Sequence, residues 1–299
     1  MYDVKMMAQI VGGAGFIAAL DQSGGSTPKA LAGYGVEDSA WSNDDEMFGL
    51  IHEMRSRIVT APSFTGQKVL GAILFEKTMD GEANGKPVPT LLWDRGVVPF
   101  LKVDKGLEDE ADGVQLMKEN PGLEDLCDRA NAKQVFGTKM RSVINHADET
   151  GIRAIVKQQF EHANRIIDKD LMPIVEPEVN IKSDSRADCD RILLAQLTRA
   201  LDALPDGRRV MLKLSLPVKA DHYASLVAHP RVARVVALSG GYSQSEACEK
   251  LAENRGIIAS FSRGLLQDLR HHMDDGKFDE TLRRGIDEIY AASVANGVQ

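Results

Sequence analysis

Eight times along this chain a short apolar run of strand length closes in polar or ionisable residues, and most of these runs are followed by a stretch of helical periodicity. The runs cover residues 15–21, 69–78, 97–105, 136–144, 172–179, 210–217, 232–241 and 256–264. Helical patterns occupy 43–58, 121–133, 147–169, 185–204 and 243–254, with a closing helical region from about 265 to 294. Alternation of this kind implies parallel strands joined by helical crossovers, and eight units in 299 residues predict an α/β fold of the (β/α)8 TIM-barrel type rather than an open sheet. We read residues 1–299 as a single barrel domain, with the stretch at 83–89 as a surface loop inside it. Pro99 falls at the first residues of its strand, where a missing amide is tolerated.

Composition removes several classes of function. A hydrophobic content of 43% and a charged content of 27% belong to a soluble globular chain, and a net charge of -8 argues against nucleic acid or an anionic membrane as partner. No apolar run of about 18 residues and no leader-like segment occurs, so a cytoplasmic protein is expected, and a homo-oligomer is compatible with the sequence. Cys127, Cys189 and Cys248 are widely spaced in charged, helix-like contexts and are expected as reduced thiols. The glycines of Val11–Ala19 imitate a dinucleotide-binding turn. Met6–Ile10 is too short and mixed to be the strand such a turn needs, and Ala18 holds the third glycine position, so no cofactor is expected.

Strand periodicity sorts the ionisable residues, because side chains two apart share a face. Lys102 pairs with Asp104, Lys139 with Arg141, and Glu176 with Glu178, each toward the C-terminal half of its strand. That end carries the active site of a barrel, where Asp21, Lys213, Ser239 and Arg263 are also expected. Any single pair is equally explained by a solvated edge or a structural ion pair; repetition over several strands favours a shared site. Lys213, within Val210–Pro217, is the sharpest case. An ammonium in an apolar strand must find partners, lose its proton or do chemistry, although an edge strand with a snorkelling lysine would also account for it.

A lysine attacks a ketone only when neutral, so its pKa, about 10.4 in water, must fall through burial and neighbouring positive charge. Lys139 and Arg141 would supply that charge, and Arg141 would also lower the pKa of Lys139. No acidic residue lies within several positions of Lys213, which favours it as the nucleophile, whereas Lys102 and Lys105 lie close to Asp104 and should stay charged. Glu176 or Glu178 would shuttle protons during carbinolamine dehydration, and Asp21 would take a proton from a substrate hydroxyl. Two nests, Ser23–Ser26 and Ser239-Gly240-Gly241 with Arg263, suit a substrate with a phosphate at each end. The residues alone indicate a Schiff-base enzyme acting on a phosphorylated sugar.

The motifs Leu20-Asp-Gln-Ser-Gly-Gly-Ser26, Leu101-Lys-Val-Asp-Lys-Gly106, Lys139-Met-Arg141, Pro173-Ile-Val-Glu-Pro-Glu178, Leu212-Lys213, Leu238-Ser-Gly-Gly241 and Phe261-Ser-Arg263 occur in the order found in class I fructose-bisphosphate aldolases. The chain resembles the shorter bacterial branch of that family over roughly residues 15–265. The resemblance implies reversible cleavage of fructose 1,6-bisphosphate in glycolysis and gluconeogenesis, with Lys213 as Schiff-base lysine and Glu176 as its proton shuttle. It further implies Asp21 and Lys139 assisting carbon–carbon cleavage, and Arg141 and Glu178 in support. Ser239, Gly240, Gly241 and Arg263 would meet the 1-phosphate, and Ser23, Ser26 and Lys102 the 6-phosphate.

The chain departs from the longer animal enzymes in four places. It ends Ala-Asn-Gly-Val-Gln299 in place of a tail with a terminal tyrosine, so proton exchange on the enamine needs another donor or is slower. Arg263 aligns only with a two-residue deletion, Met140 replaces an aromatic, and Leu214-Ser215 replaces Pro-Asn. A metal-dependent aldolase would need clustered histidines, whereas His52, His146, His162, His222 and His229 are scattered and His271-His272 lies in the C-terminal helical region. Another Schiff-base aldolase or a transaldolase-like enzyme on a different sugar phosphate, and a sugar-phosphate-binding barrel without chemistry, are the competing readings.

Overall fold

The computed structural model describes residues 3–295 and 297 and, of residues 263 and 264, the backbone alone. Each expected run contains one strand: β1 Phe16–Leu20, β2 Val69–Leu74, β3 Val98–Lys102, β4 Gly137–Ile144, β5 Met172–Val179, β6 Val210–Ser215, β7 Val232–Leu238 and β8 Ile257–Ala259. They pair in parallel in that order. The two ends of the sheet meet at a seam, where Ala19 N–H donates to the Phe261 carbonyl at 3.3 Å. Strands buried on both faces need apolar side chains on both, which is why they read as continuous runs rather than alternating ones. The TIM-barrel expectation is met.

Period two divides each strand between two cores. Ile17, Val98, Phe100, Met172, Ile174, Met211, Val236 and Ile258 form one cluster, which fills the barrel. Ala18, Leu101, Met140, Val175 and Leu212, of opposite parity, pack in the larger cluster under the helices. The Phe100 ring has room because its neighbour is Gly137: a Cβ there would lie 2.9 Å from the ring and 2.2 Å from the Met172 carbonyl oxygen. Further along the inward faces the apolar residues give way to Asp21, Lys102, Lys139, Glu176 and Lys213. The same parity that fills the lower barrel therefore aims the ionisable groups into its C-terminal mouth.

Twelve α-helices accompany the strands among the described residues. They are α1 Val4–Gly12, α2 Ser26–Tyr34, α3 Asp44–Thr60, α4 Glu76–Asp80, α5 Val88–Asp94, α6 Leu123–Ala132, α7 Glu149–Ile167, α8 Arg186–Asp202, α9 Ala224–Val227, α10 Gln244–Ala252, α11 Arg263–Leu266 and α12 Asp275–Val294. Asn43 caps α3 by accepting from Glu46 N–H at 3.0 Å, and Ser243 opens α10 with a capping box. The unforeseen α1 plugs the N-terminal end of the barrel: Met6 and Ile10 join the inner cluster, and Gln9 donates to the carbonyls of Leu70, at 2.9 Å, and Gly96. Buried Arg234 pins the end of this helix through Val11 O at 2.6 Å and Gly13 O at 3.1 Å. Most of the strands are shorter than their runs, the last most of all, with Ile257–Ala259 inside the 256–264 run. The 69–78 run stops at Leu74 because α4 begins at Glu76, and the 97–105 run stops at Lys102. The surface loop at 83–89 is a two-residue antiparallel ribbon, Glu82–Ala83 with Lys86–Pro87, leading into α5.

Candidate active site

The parallel register sets the ionisable residues side by side before any side-chain contact is considered. Lys102 of β3 lies opposite Lys139 of β4, and Arg141 lies opposite Glu176 of β5. Met211 lies opposite Ile174, so Lys213 stands level with Glu176 on the adjacent strand. Ser215 secures this junction where β5 and β6 separate: its buried hydroxyl donates to Val179 O at 2.8 Å and accepts from Val179 N–H at 2.9 Å.

The side chains form one charged chain across the barrel mouth. Lys213 Nζ is 3.1 Å from Glu176 Oε1, and Glu176 Oε2 is 3.0 Å from Lys139 Nζ. Lys139 Nζ reaches Asp21 Oδ2 at 2.7 Å and lies 3.9 Å from Asp104 Oδ2. Lys102 Nζ completes the cluster, 2.7 Å from Asp104 Oδ1 and 2.8 Å from the Asp104 carbonyl. Lys139, Lys213 and Glu176 are 2%, 4% and 3% exposed, so these pairs are screened little by solvent.

Charge and burial oppose one another here, and charge wins at both ends of the Lys139–Asp21 pair. Burial raises the Asp21 pKa, but the positive charges of Lys139, Lys213 and Lys102 outweigh it and hold the carboxyl well below its usual range. Burial lowers the Lys139 pKa, yet Asp21, Glu176 and Asp104 drive it above the usual lysine range. This corrects the expectation that Arg141 lowers the Lys139 pKa. Arg141 Nε donates instead to Glu178 Oε2 at 2.5 Å, while three carboxylates surround Lys139. The expectation that Lys213 lacks an acidic neighbour is corrected likewise: it holds along the sequence and fails across the sheet.

Chemically, Glu176 presents one oxygen to each of two lysines. A carboxylate so placed can receive a proton from Lys213 and return it to a group bound there, while Lys139 and Asp21 form a fixed cation and base beyond.

Other expected residues flank the mouth. Ser239 is buried after β7, and Gly240 and Gly241 follow with φ of 61° and 120°, a backbone that favours glycine. A Cβ on Gly240 would lie 2.7 Å from Ile181 Cγ2. Ser23 and Ser26 sit in the exposed turn after β1, where Ser26 Oγ accepts from Ser23 N–H at 2.9 Å. Arg263 begins α11, and its side chain lies outside the described residues. Lys105 turns from Asp104 to Glu76, at 2.9 Å. Asp104 and Ser215 stand in or beside the mouth with no role assigned to them from the sequence, and Arg55 is buried next to it on Gln22 and Thr78. Arg55 lay in an ordinary amphipathic helix with no local signal; Asp104 was visible as the same-face partner of Lys102. Among the described residues no three of His, Cys, Asp and Glu are grouped to hold a metal ion.

Comparison with known proteins agrees with the geometry. The family described as "Fructose-bisphosphate aldolase class-I" matches residues 4–216. The fold is shared with the fructose-bisphosphate aldolase of Plasmodium falciparum, solved in complex with TRAP and a small-molecule inhibitor, at a TM-score of 0.79 and 22% identity over 98% of this chain and 94% of that one. Cgl0159 of Corynebacterium glutamicum is similar at a TM-score of 0.56 and 12% identity, over 97% of this chain and 92% of that one. With its β1–β6 mouth residues inside the matched segment, the chain belongs to the class-I fructose-bisphosphate aldolase family.

Proposed function

We propose that this protein reversibly cleaves fructose 1,6-bisphosphate to dihydroxyacetone phosphate and glyceraldehyde 3-phosphate through an imine on Lys213, in cytoplasmic glycolysis and gluconeogenesis. The observation that carries the reading is the buried Lys213–Glu176–Lys139–Asp21 chain. Lys213 passes its proton to Glu176 and attacks the C2 ketone. Glu176 returns that proton to the carbinolamine hydroxyl, which leaves as water, and the iminium becomes the electron sink. Asp21 takes the proton of the C4 hydroxyl. The C3–C4 bond breaks, its electron pair forms the enamine, and the aldehyde departs. Protonation at C3 and hydrolysis release dihydroxyacetone phosphate and restore Lys213.

Lys139, kept charged by three carboxylates, stabilises the oxyanion developing at C4. Arg141 and Glu178 brace one another at the rim, with Ser239, Gly240, Gly241 and Arg263 receiving the 1-phosphate and Ser23, Ser26 and Lys102 the 6-phosphate. Membership of the class-I family supports the imine, and the two nests support a substrate with two phosphates. Borohydride reduction with dihydroxyacetone phosphate is expected to add the reduced three-carbon phosphate to the peptide containing Lys213, and Lys213→Met to abolish adduct and turnover. A label on Lys139, or on no lysine, refutes the assignment.

A further inference from the structure

Arg55 is 1% exposed on the inner face of α3, and among the described residues no carboxylate lies within ion-pair distance of it. Its Nη1 donates to Thr78 Oγ1 at 2.9 Å, and its Nη2 donates to the Gln22 carbonyl at 2.5 Å and to Gln22 Oε1 at 3.3 Å. Its Nε finds no hydrogen-bond partner among the described residues. Burying a guanidinium without a carboxylate in contact is unfavourable, and what it gains here is charge-assisted bonding to neutral oxygens of Thr78 and Gln22, with the Asp21 carboxylate acting on it from beyond ion-pair distance. Gln22 in turn donates through Nε2 to Ala19 O at 3.2 Å and to Ser262 Oγ.

These contacts form a strap at a weak point of the barrel. Gln22 lies directly after Asp21 and directly before Ser23, while Ser262 precedes Arg263. The strap runs from Thr78 beyond β2, through Arg55 and Gln22, to Ser262 beyond β8. It crosses the seam that the Ala19–Phe261 hydrogen bond closes at 3.3 Å. We infer that Arg55 is a positioning residue: it locks Gln22 so that the turn carrying Ser23 and Ser26 keeps a fixed distance from the β8 loop, and thereby sets the spacing at which a substrate with two phosphates is recognised. The inference rests on the function proposed above. Arg55 itself touches no reacting atom: it holds the Gln22 carbonyl and amide oxygens and the Thr78 hydroxyl, and feels the Asp21 carboxylate only at a distance.

The spacing matters for a ketose carrying phosphates at both ends and little for one phosphorylated at C1 alone. The test compares Arg55→Met and Arg55→Lys with wild type on fructose 1,6-bisphosphate and on fructose 1-phosphate, alongside borohydride trapping at Lys213 with dihydroxyacetone phosphate. Arg55→Met is expected to lower kcat/KM for the bisphosphate about tenfold or more, chiefly through KM, since the lost bonds are charge-assisted. The 1-phosphate should change far less, Lys213 should still be trapped, and Arg55→Lys should recover part of the bisphosphate preference. Should Arg55→Met fail to fold, Gln22→Ala cuts the link to Ser262 while sparing the backbone carbonyl that Arg55 holds, and the same selective loss is expected. Equal losses on both substrates together with trapping, or no change in the ratio, overturn the inference. If wild type itself neither cleaves the bisphosphate nor traps at Lys213, the proposed function fails first.

Discussion

Replacing Lys139 by Met keeps most of the side-chain volume and deletes one charge from the centre of the buried chain, so its cost can be worked contact by contact. Glu176 keeps Lys213 at 3.1 Å, and Asp104 keeps Lys102 at 2.7 Å. Among the described residues Asp21 keeps no cation within ion-pair distance, since its contact at 2.7 Å is Lys139 itself. One buried carboxylate therefore loses its direct partner and keeps only the more distant charges of Lys213 and Lys102. Breaking a buried pair costs about 3–5 kcal/mol, and because the Asp21 side chain retains 11% exposure we expect about 3 kcal/mol, a large share of a total stability of about 5–15 kcal/mol. The sign of the pH dependence follows from the two shifted groups. Asp21 has its pKa depressed by folding, so its contribution is present above its unfolded value of about 3.9 and lost as pH falls through the lower folded one. Lys139 has its pKa raised, so its contribution is present below about 10.4 and lost only as pH rises through the higher folded value. Wild type should thus hold the pair throughout the range between. In Lys139→Met the stranded carboxylate can be relieved by protonation, so the deficit should be largest near pH 7 and narrow toward pH 5. Denaturant midpoints at both pH values measure it, and cleavage should be lost while some trapping at Lys213 persists. Wild-type stability at pH 7, or a deficit independent of pH, refutes the reasoning.

Activity should survive strong chelators, because the Lys213 imine takes the electron pair of the broken bond; loss with EDTA and recovery with zinc would contradict the mechanism. Ser215→Ala should leave Val179 N–H and C=O without their side-chain partner. Each orphaned buried group costs about 1–3 kcal/mol, so a lowered thermal midpoint is expected, and an unchanged one would show that the strands close on each other without the hydroxyl.

The barrel was legible in the sequence because its determinants are local. Eight apolar runs spaced by helical segments specify strands and crossovers, and period two specifies which side chains face inward, so Lys102, Lys139, Glu176 and Lys213 could be placed on one surface without coordinates. The short helices α1 and α2 were not legible: α1 is nine residues long and its apolar face, Met6, Met7, Ile10 and Val11, is too brief to establish a period, and α2 carries Pro28 and Gly33. Their burial comes from the barrel end and from α3 rather than from their own pattern. The electrostatics of the site lay further still from the sequence. Reading Lys213 against its chain neighbours suggested an isolated lysine, and reading Lys139 against Arg141 suggested a depressed pKa. Both failed for one reason: parallel register and strand closure place Glu176 between the two lysines and Asp21 beside Lys139, across separations of 37 to 118 residues in the chain. Arg55 is the extreme case, an unremarkable helical arginine until α3 packs beside α2 and α4 and buries it between Thr78 and Gln22. Local chemistry determined which side chains were available and which way they faced; only the closed sheet decided which charges met, because Coulomb energy depends on distance through space and not along the chain.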